Sequence, residues 1–229
     1  MTRTIVVCGY GPGISDGVAR KFGAEGFRVA LVARSEEKLE RGASALREAG
    51  IEARGFSCDL GDPEAVRAMI AAVREALGPI TVVHWNAYAG LAGDVLSAET
   101  EALRTVYDVG VTGLVVAVQE ALPDLKAQDG AAVLMTGGGF AFYDPKVDAM
   151  AVQYRAMGLA IAKAAQHKLA GLLHARLATE GVFVGEVIVL GMVKGTAFDS
   201  GHATLEPSAI GAKFWELYRA RSAPSTQIA

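Results

Sequence analysis

Three glycines within five residues, Gly9, Gly11 and Gly13, follow directly on the apolar run Ile5-Val6-Val7-Cys8, and this is the first stretch where chemistry could be done. Without a Cβ the backbone can turn sharply and approach a phosphate closely, and a helix starting near Gly13 aims unbonded N–H groups at such an anion. The apolar run reads as a strand buried on both faces. A plain tight turn would use similar glycines, so the flanking sequence decides. Val18, Ala19 and Phe22 make one apolar helical face, Gly26 closes the helix, and Phe27 to Ala33 is a second buried-strand run. Strand, glycine turn, helix and strand is the layout of the first half of a dinucleotide site. The spacing departs from G-x-G-x-x-G, because Ser15 and Asp16 stand where the last glycine would be.

The second strand ends in Ala33-Arg34. A site built for NAD places an acidic residue there to accept the ribose hydroxyls, and that carboxylate would repel a 2′-phosphate. Ala33 removes the acid, and the Arg34 guanidinium can pair with a phosphate through two parallel bonds and stack on adenine. The cofactor expected is NADP. The alternative is a surface arginine paired with the nearby Glu36 or Glu37.

The elements that would hold these residues alternate along the chain. Ser35 can cap a helix through Arg47 with a charged outer face, Ile51 to Cys58 is a third strand, and Asp62 can cap a helix to Leu77. Gly78-Pro79 stops that helix before the strand Ile80 to Trp85. A long helical region, Ala98 to Lys126, precedes the fifth strand, Ala131 to Met135. A second long helix, about Ala149 to Thr179, precedes the sixth, Val182 to Val189, and an amphipathic helix from Pro207 to about Ala220 follows. Such alternation demands a parallel sheet with right-handed crossovers and helices on both faces. The fold class expected is doubly wound, Rossmann-type α/β, in a single domain over residues 1–229.

With 229 residues and 52% hydrophobic content the chain can bury one substantial core, and no linker-like stretch divides it. A net charge of −3 without a Lys/Arg block argues against nucleic acid. No stretch reads as a signal peptide or membrane span, so a soluble, cytoplasmic protein is expected. Cys8 and Cys58 read as reduced, buried thiols, and no spacing suggests a metal.

Gly9-x-x-x-Gly13-Ile14 resembles the glycine motif of the short-chain dehydrogenase/reductase family, T-G-x-x-x-G-x-G, with Cys8 for the threonine and Ser15 for the last glycine. The resemblance covers nearly the whole chain. It implies that Asp59 binds the adenine ring and that Leu60 offers backbone to the same base, the plainer alternative for Asp59 being an ordinary strand-end turn residue. Asn86-Ala87 matches the second half of the family's N-N-A-G, with Trp85 for the first asparagine and Tyr88 for the glycine. Gly191 matches the family's P-G without its proline, and Val193 and Thr196 fall where the family contacts the nicotinamide carboxamide and the phosphates.

The catalytic half of the pattern is incomplete. The family uses Ser, Tyr and Lys together with an Asn: tyrosine passes the proton, serine holds the substrate oxygen, and lysine binds ribose and lowers the tyrosine pKa. Lys163 matches the lysine of Y-x-x-x-K-A-A, but Leu159 stands at the tyrosine position and Gly110 at the asparagine position. The serine position falls on Thr136 or Gly137, and about nine extra residues separate that strand end from the following helix, judged by motif spacing. Tyr143, within those extra residues, is the candidate substitute donor. Tyr154 lies roughly 180° around the expected helix from Lys163, at about 100° per residue. His84 reads as a core histidine, His167 and His174 as packing or interface residues, and His202 as a weak lid candidate.

The resemblance therefore implies an NADP(H)-binding oxidoreductase with an atypical catalytic site and an unidentified small-molecule substrate. Simple ketones are expected to be poor substrates. A catalytically inactive dinucleotide sensor and a structural partner subunit remain the alternatives. The two long helices are expected to assemble a homodimer or homotetramer, the later one being more apolar than a helix with one solvent face needs.

Overall fold

The computed structural model describes residues 3–90, 92–199 and 201–229. Seven strands form one parallel sheet: β1 (Arg3–Cys8), β2 (Phe27–Ala33), β3 (Ala53–Ser57), β4 (Ile80–Trp85), β5 (Ala132–Gly138), β6 (Phe183–Val189) and β7 (Ser225–Ile228). Their spatial order is β3-β2-β1-β4-β5-β6-β7, with every pairing parallel. The expected doubly wound α/β fold is the observed one, with one strand more than expected. β7 pairs only with β6, and its four residues, STQI, carry no apolar alternation that would announce a strand.

Helices cover both faces. Val6 and Cys8 point to a core shared with α3 (Pro63–Leu77), α5 (Gly113–Ala127) and α7 (Met157–Leu177). Ile5 and Val7 point to the other, shared with α1 (Ile14–Ala24), α2 (Glu36–Glu48) and α8 (Pro207–Ala220). The alternation of adjacent residues between two dry cores is why the strands read as unbroken apolar runs. Ser35 and Asp62 cap α2 and α3 as expected, accepting from Lys38 N and from Glu64 N and Ala65 N. Cys8 and Cys58 are free and buried, and burial pushes the Cys58 thiol up to about 11.

Both long helices are interrupted. The first is α4 (Thr100–Tyr107), a π turn over Asp108–Thr112, and then α5. Within Thr100–Ala127 an 18-residue window reaches a mean hydropathy of 1.2, long and apolar enough to span a membrane by composition, yet half of that window is buried within the protein. α5 is a core helix packed on α3 and β4. The second long helix divides into α6 (Pro145–Gln153) and α7. Asp144 caps α6 through Lys146 N and Val147 N, Pro145 opens it, and Tyr154 and Arg155 (φ +51°) end it. Ala156 then bridges to Gly93, and Met157 N donates to Gly93 O, which pins the break to the loop after β4. The expected residues between β5 and the lysine helix thus fold into a helix of their own. Tyr154 and Lys163 do not share a helix, so the angular comparison between them does not hold.

Strand order reverses between β1 and β4, and this is where an open α/β sheet forms a ligand crevice at the carboxyl ends of its strands.

Candidate functional site

The loops after β1 and β4 meet across that reversal. A Cβ on Gly9 (φ +82°) would lie 2.6 Å from the Ala87 backbone, so only glycine allows the approach. Asn86 Nδ2 donates to Gly9 O at 3.2 Å and Asn86 N to Cys8 O at 2.9 Å. Gly11 has no atom within 4 Å of where its Cβ would be, which leaves space over the turn for a bulky anion. Gly13 (φ +98°) stands at the start of α1, and a Cβ there would sit 2.5 Å from Thr196 Cγ2. The loop after β6 therefore closes on the glycine turn. Ile14 is the first residue of α1 and packs against the core beneath.

Ser15, which replaces the last glycine of the motif, is buried. Its Oγ accepts from Gly11 N at 2.9 Å and donates to Gly11 O at 3.0 Å. The hydroxyl holds the turn in shape from inside. Thr196 Oγ1 donates to Val193 O at 2.8 Å, and Val193 is buried beside Leu205, to which it bridges.

Arg34 is exposed at the end of β2 and forms no ion pair among the described residues. Its proposed partner Glu37 lies 3.8 Å from Arg41 instead. Asp59 Oδ1 accepts from Gly61 N at 2.9 Å, a strand-end turn contact, while Leu60 is buried. Tyr10, which the sequence reading passed over, crosses from the glycine turn onto α2. A Cβ on Gly42 would strike its hydroxyl at 2.3 Å, and that hydroxyl donates to Asp16 Oδ1 at 2.9 Å. Burial, then the Asp16 carboxylate, hold the phenol well above its usual range.

Lys163 lies on α7 and is only 8% exposed. Its Nζ donates to Thr136 O at 2.8 Å and to Gln166 Oε1 at 2.9 Å. Gln166 Nε2 in turn donates to Gly110 O in the π turn at 2.7 Å. Burial lowers the Lys163 pKa to about 8, opposed by the Glu186 carboxylate on β6.

At the positions matched to the family's Ser, Asn and Tyr the chain carries no such side chain, and the strand-end match shifts by one residue. Thr136 Oγ1 is turned to His84 Nε2 at 3.2 Å, and a Cβ on Gly137 would collide with Glu186 Oε1 at 2.4 Å. Neither faces the lysine. A Cβ on Gly138 would lie 3.9 Å from Lys163 Cγ, so Gly138 is the strand-end position that does. At Gly110 a Cβ would lie 3.1 Å from Ala162 Cβ, which leaves no space for an asparagine without movement. Leu159 is buried one helical turn before Lys163. Tyr143 is 99% exposed, so it is not packed over Lys163 as expected of a substitute donor. It follows the 3₁₀ turn Gly139–Ala141 and Phe142, whose ring packs on His167, and points away into solvent.

The histidines take structural places. His84 is fully buried against Phe214, and burial lowers its pKa to about 3. Only one of its nitrogens is bonded; Nδ1 has no partner among the described residues. His167 Nδ1 lies 2.6 Å from Oε2 of the fully buried Glu186, and His174 Nδ1 lies 2.8 Å from Val184 O. His202 is exposed. Gln166 and Glu186 were both missed. For Glu186 the available signal was a single charged residue within the apolar run of β6; Gln166 stands beside His167 and Lys168, and nothing local sets it apart. Above the crevice Tyr88 meets Phe198, ring centroids 6.0 Å apart, so the loops after β4 and β6 also touch.

A family model described as short chain dehydrogenase matches residues 3–204. A putative ketoacyl reductase of Streptomyces coelicolor is 36% identical over 113 residues, 49% of this chain and 43% of that protein. A meso-2,3-butanediol dehydrogenase of Serratia marcescens is 33% identical over 164 residues, 69% of this chain and 64% of that one. These matches span less than two thirds of the relatives' own length. Among solved structures, an actinorhodin polyketide ketoreductase with NADPH superimposes with a TM-score of 0.85 at 22% identity, covering 100% of this chain and 96% of the other. An NADPH-bound short chain oxidoreductase from Pseudomonas aeruginosa PAO1, described as containing an atypical catalytic center, gives 0.82 at 21% identity, covering 98% and 93%.

Proposed function

The chain belongs to the short-chain dehydrogenase family, and from that premise we propose that it is an NADP(H)-dependent oxidoreductase whose proton chemistry departs from the family's usual set. One observation carries the cofactor: the glycine turn, Asn86-Ala87 and Thr196 converge at the sheet's reversal, with open space over Gly11 and an exposed Arg34 that has no acidic partner among the described residues. In this reading Gly9, Gly11, Gly13 and Ile14 receive the pyrophosphate, Arg34 the 2′-phosphate, and Asp59 and Leu60 the adenine. Asn86, Ala87, Val193 and Thr196 line the nicotinamide half, and Lys163 binds its ribose.

The site would hold NADPH as the source of a hydride for a carbonyl carbon, the reaction class suggested by the relatives named ketoacyl reductase and butanediol dehydrogenase. The oxygen must then take a proton. Leu159 and Gly138 offer none, so water or a donor on the substrate supplies it. General acid assistance is worth about 10²–10⁴ in rate, and simple ketones should therefore be slow. Tyr143 remains a donor only if the segment carrying it folds inward on binding.

The second reading is a dinucleotide sensor without turnover, favoured by Leu159 and Gly138 beside Lys163, neither of which carries a proton donor. NADPH fluorescence titration together with hydride exchange separates the two. Binding with exchange supports the enzyme, binding alone the sensor, and neither would overturn the dinucleotide site itself.

A further inference from the structure

We propose that Gln166 is a positioning residue that clamps the Lys163 ammonium to the π turn, doing from the lysine's own helix what no side chain at Gly110, Gly138 or Leu159 can do. Gln166 is 2% exposed and joins three elements: its own α7, β5 through the lysine, and the turn at Gly110. The two bonds fix the amide's orientation by chemistry. An ammonium can only donate, so it must meet the amide oxygen, and a carbonyl can only accept, so it must meet the amide nitrogen.

The π turn supplies the acceptor. Gly110 is buried within it, and its carbonyl accepts from Gln166 56 residues away. Gly110 permits this because the turn runs close to α7, with a Cβ there only 3.1 Å from Ala162 Cβ. The lysine has a matching need. A buried ammonium requires acceptors, and Thr136 O and Gln166 Oε1 take two of its three N–H groups. The third is left for a ligand at the carboxyl end of the sheet. On the dinucleotide reading above, on which this part rests, that ligand is the nicotinamide ribose.

The charged groups around the lysine are few. Glu186 on β6 raises its pKa and His84 on β4 feels its charge, while His167 stands one turn on along α7. Thr136 on β5 is neutral, and Asp108 of the π turn faces Gly61 rather than the lysine. Gln166 thus meets the ammonium as a neutral acceptor, holding it without neutralising it.

Three substitutions separate the requirements: Gln166→Met keeps length without polarity, Gln166→Asn keeps the amide without length, and Gln166→Glu keeps length and an acceptor. The readouts are the titration midpoint of Lys163 by carbon-13 lysine NMR without cofactor, assigned with Lys163→Arg, and the NADPH dissociation constant by fluorescence. In Gln166→Met and Gln166→Asn the midpoint should fall by about one unit, and the dissociation constant should rise about tenfold or more. Gln166→Glu, which keeps an acceptor for the ammonium but loses the donor to Gly110 O, should hold the midpoint at or above the native one while its NADPH dissociation constant rises with the loss of the bond to the turn. If Gln166→Met fails to fold, Gln166→Asn decides alone. Unchanged midpoints in the variants that fold, or a fall in Gln166→Glu equal to that in Gln166→Asn, overturns the clamp even if stability drops. A native protein that binds no NADPH, with midpoints moving as stated, overturns the dinucleotide reading and leaves the clamp supported.

Discussion

On the proposed reading, Arg34 would decide between two cofactors with one side chain. Its guanidinium is exposed and free of an acidic partner among the described residues, so no internal ion pair has to break before it meets a 2′-phosphate. Charge-assisted bonds of this kind contribute about 1.5–3 kcal/mol. Arg34→Ala should weaken NADPH binding by that amount while changing NADH binding little, and equal native affinities for the two cofactors would refute the preference. His84 makes a different prediction. Its folded pKa of about 3 lies below the usual 6.5, so the unfolded chain takes up a proton that the folded one refuses. The stability this group protects is complete above pH 6.5 and declines as pH falls toward 3, by about 2 kcal/mol at pH 5. Denaturant titrations at pH 7.5 and 5 should give a smaller acid loss in His84→Phe than in the native protein. The sequence made some of these residues readable and hid others. Gly9, Gly11 and Gly13 announce themselves because they cluster directly after an apolar strand, although the Ala87 and Thr196 they make room for lie far along the chain. Gln166 does not, since its partner at Gly110 is 56 positions away and nothing in its neighbours names it. Gly138 was missed by one position, which in a strand is the difference between facing the lysine and facing Glu186.

Elements were legible where their signals were local and lost where distant contacts ended them. Ser35 and Asp62 cap where expected because the cap and its partners lie within three residues. The break between α6 and α7 depends on Gly93, far along the chain, and the apolar pattern runs through it undisturbed. The packing of α1 on α8 is an element-scale feature with a sharp consequence. A Cβ on Gly17 would lie 2.0 Å from Pro207 O and one on Gly211 2.3 Å from Gly17 O, so the two backbones touch. Alanine in place of glycine in a helix usually gains about 1 kcal/mol. Overpacking a close contact costs about 1–3 kcal/mol or more, and here the obstacle is backbone that cannot rotate aside. Gly211→Ala should therefore be net destabilising by thermal or chemical denaturation. Because α1 carries Gly13 at its start, NADPH binding should weaken in the same variant. An unchanged melting temperature with unchanged binding would contradict the close packing.

At the scale of the whole molecule, the sheet's reversal puts the proposed chemistry at one end and leaves the flanks of α7 outside the core. Ile161 is 38% exposed and Leu172 56%, while α4 presents Tyr107 at 43%. α7 faces inward with Ala162, Lys163, Gln166 and Ala170, so its outward side chains have no role in holding Lys163. Fully burying a leucine or isoleucine contributes about 1.5–3 kcal/mol, and a few such residues on two facing helices can hold two copies together. We expect a homodimer or homotetramer formed through α4, α5 and α7. Light scattering at micromolar concentration should give a multiple of 23.8 kDa. Leu172→Glu should lower that mass, since two copies would then bury like charges against each other. The variant should keep the circular dichroism of the native chain, because Leu172 lies outside both buried cores. It should also keep NADPH binding, with Gln166 and Thr136 holding the lysine from within one chain. A native protein that is monomeric at that concentration would refute the assembly, and a Leu172→Glu variant of undiminished mass would move the interface off α7.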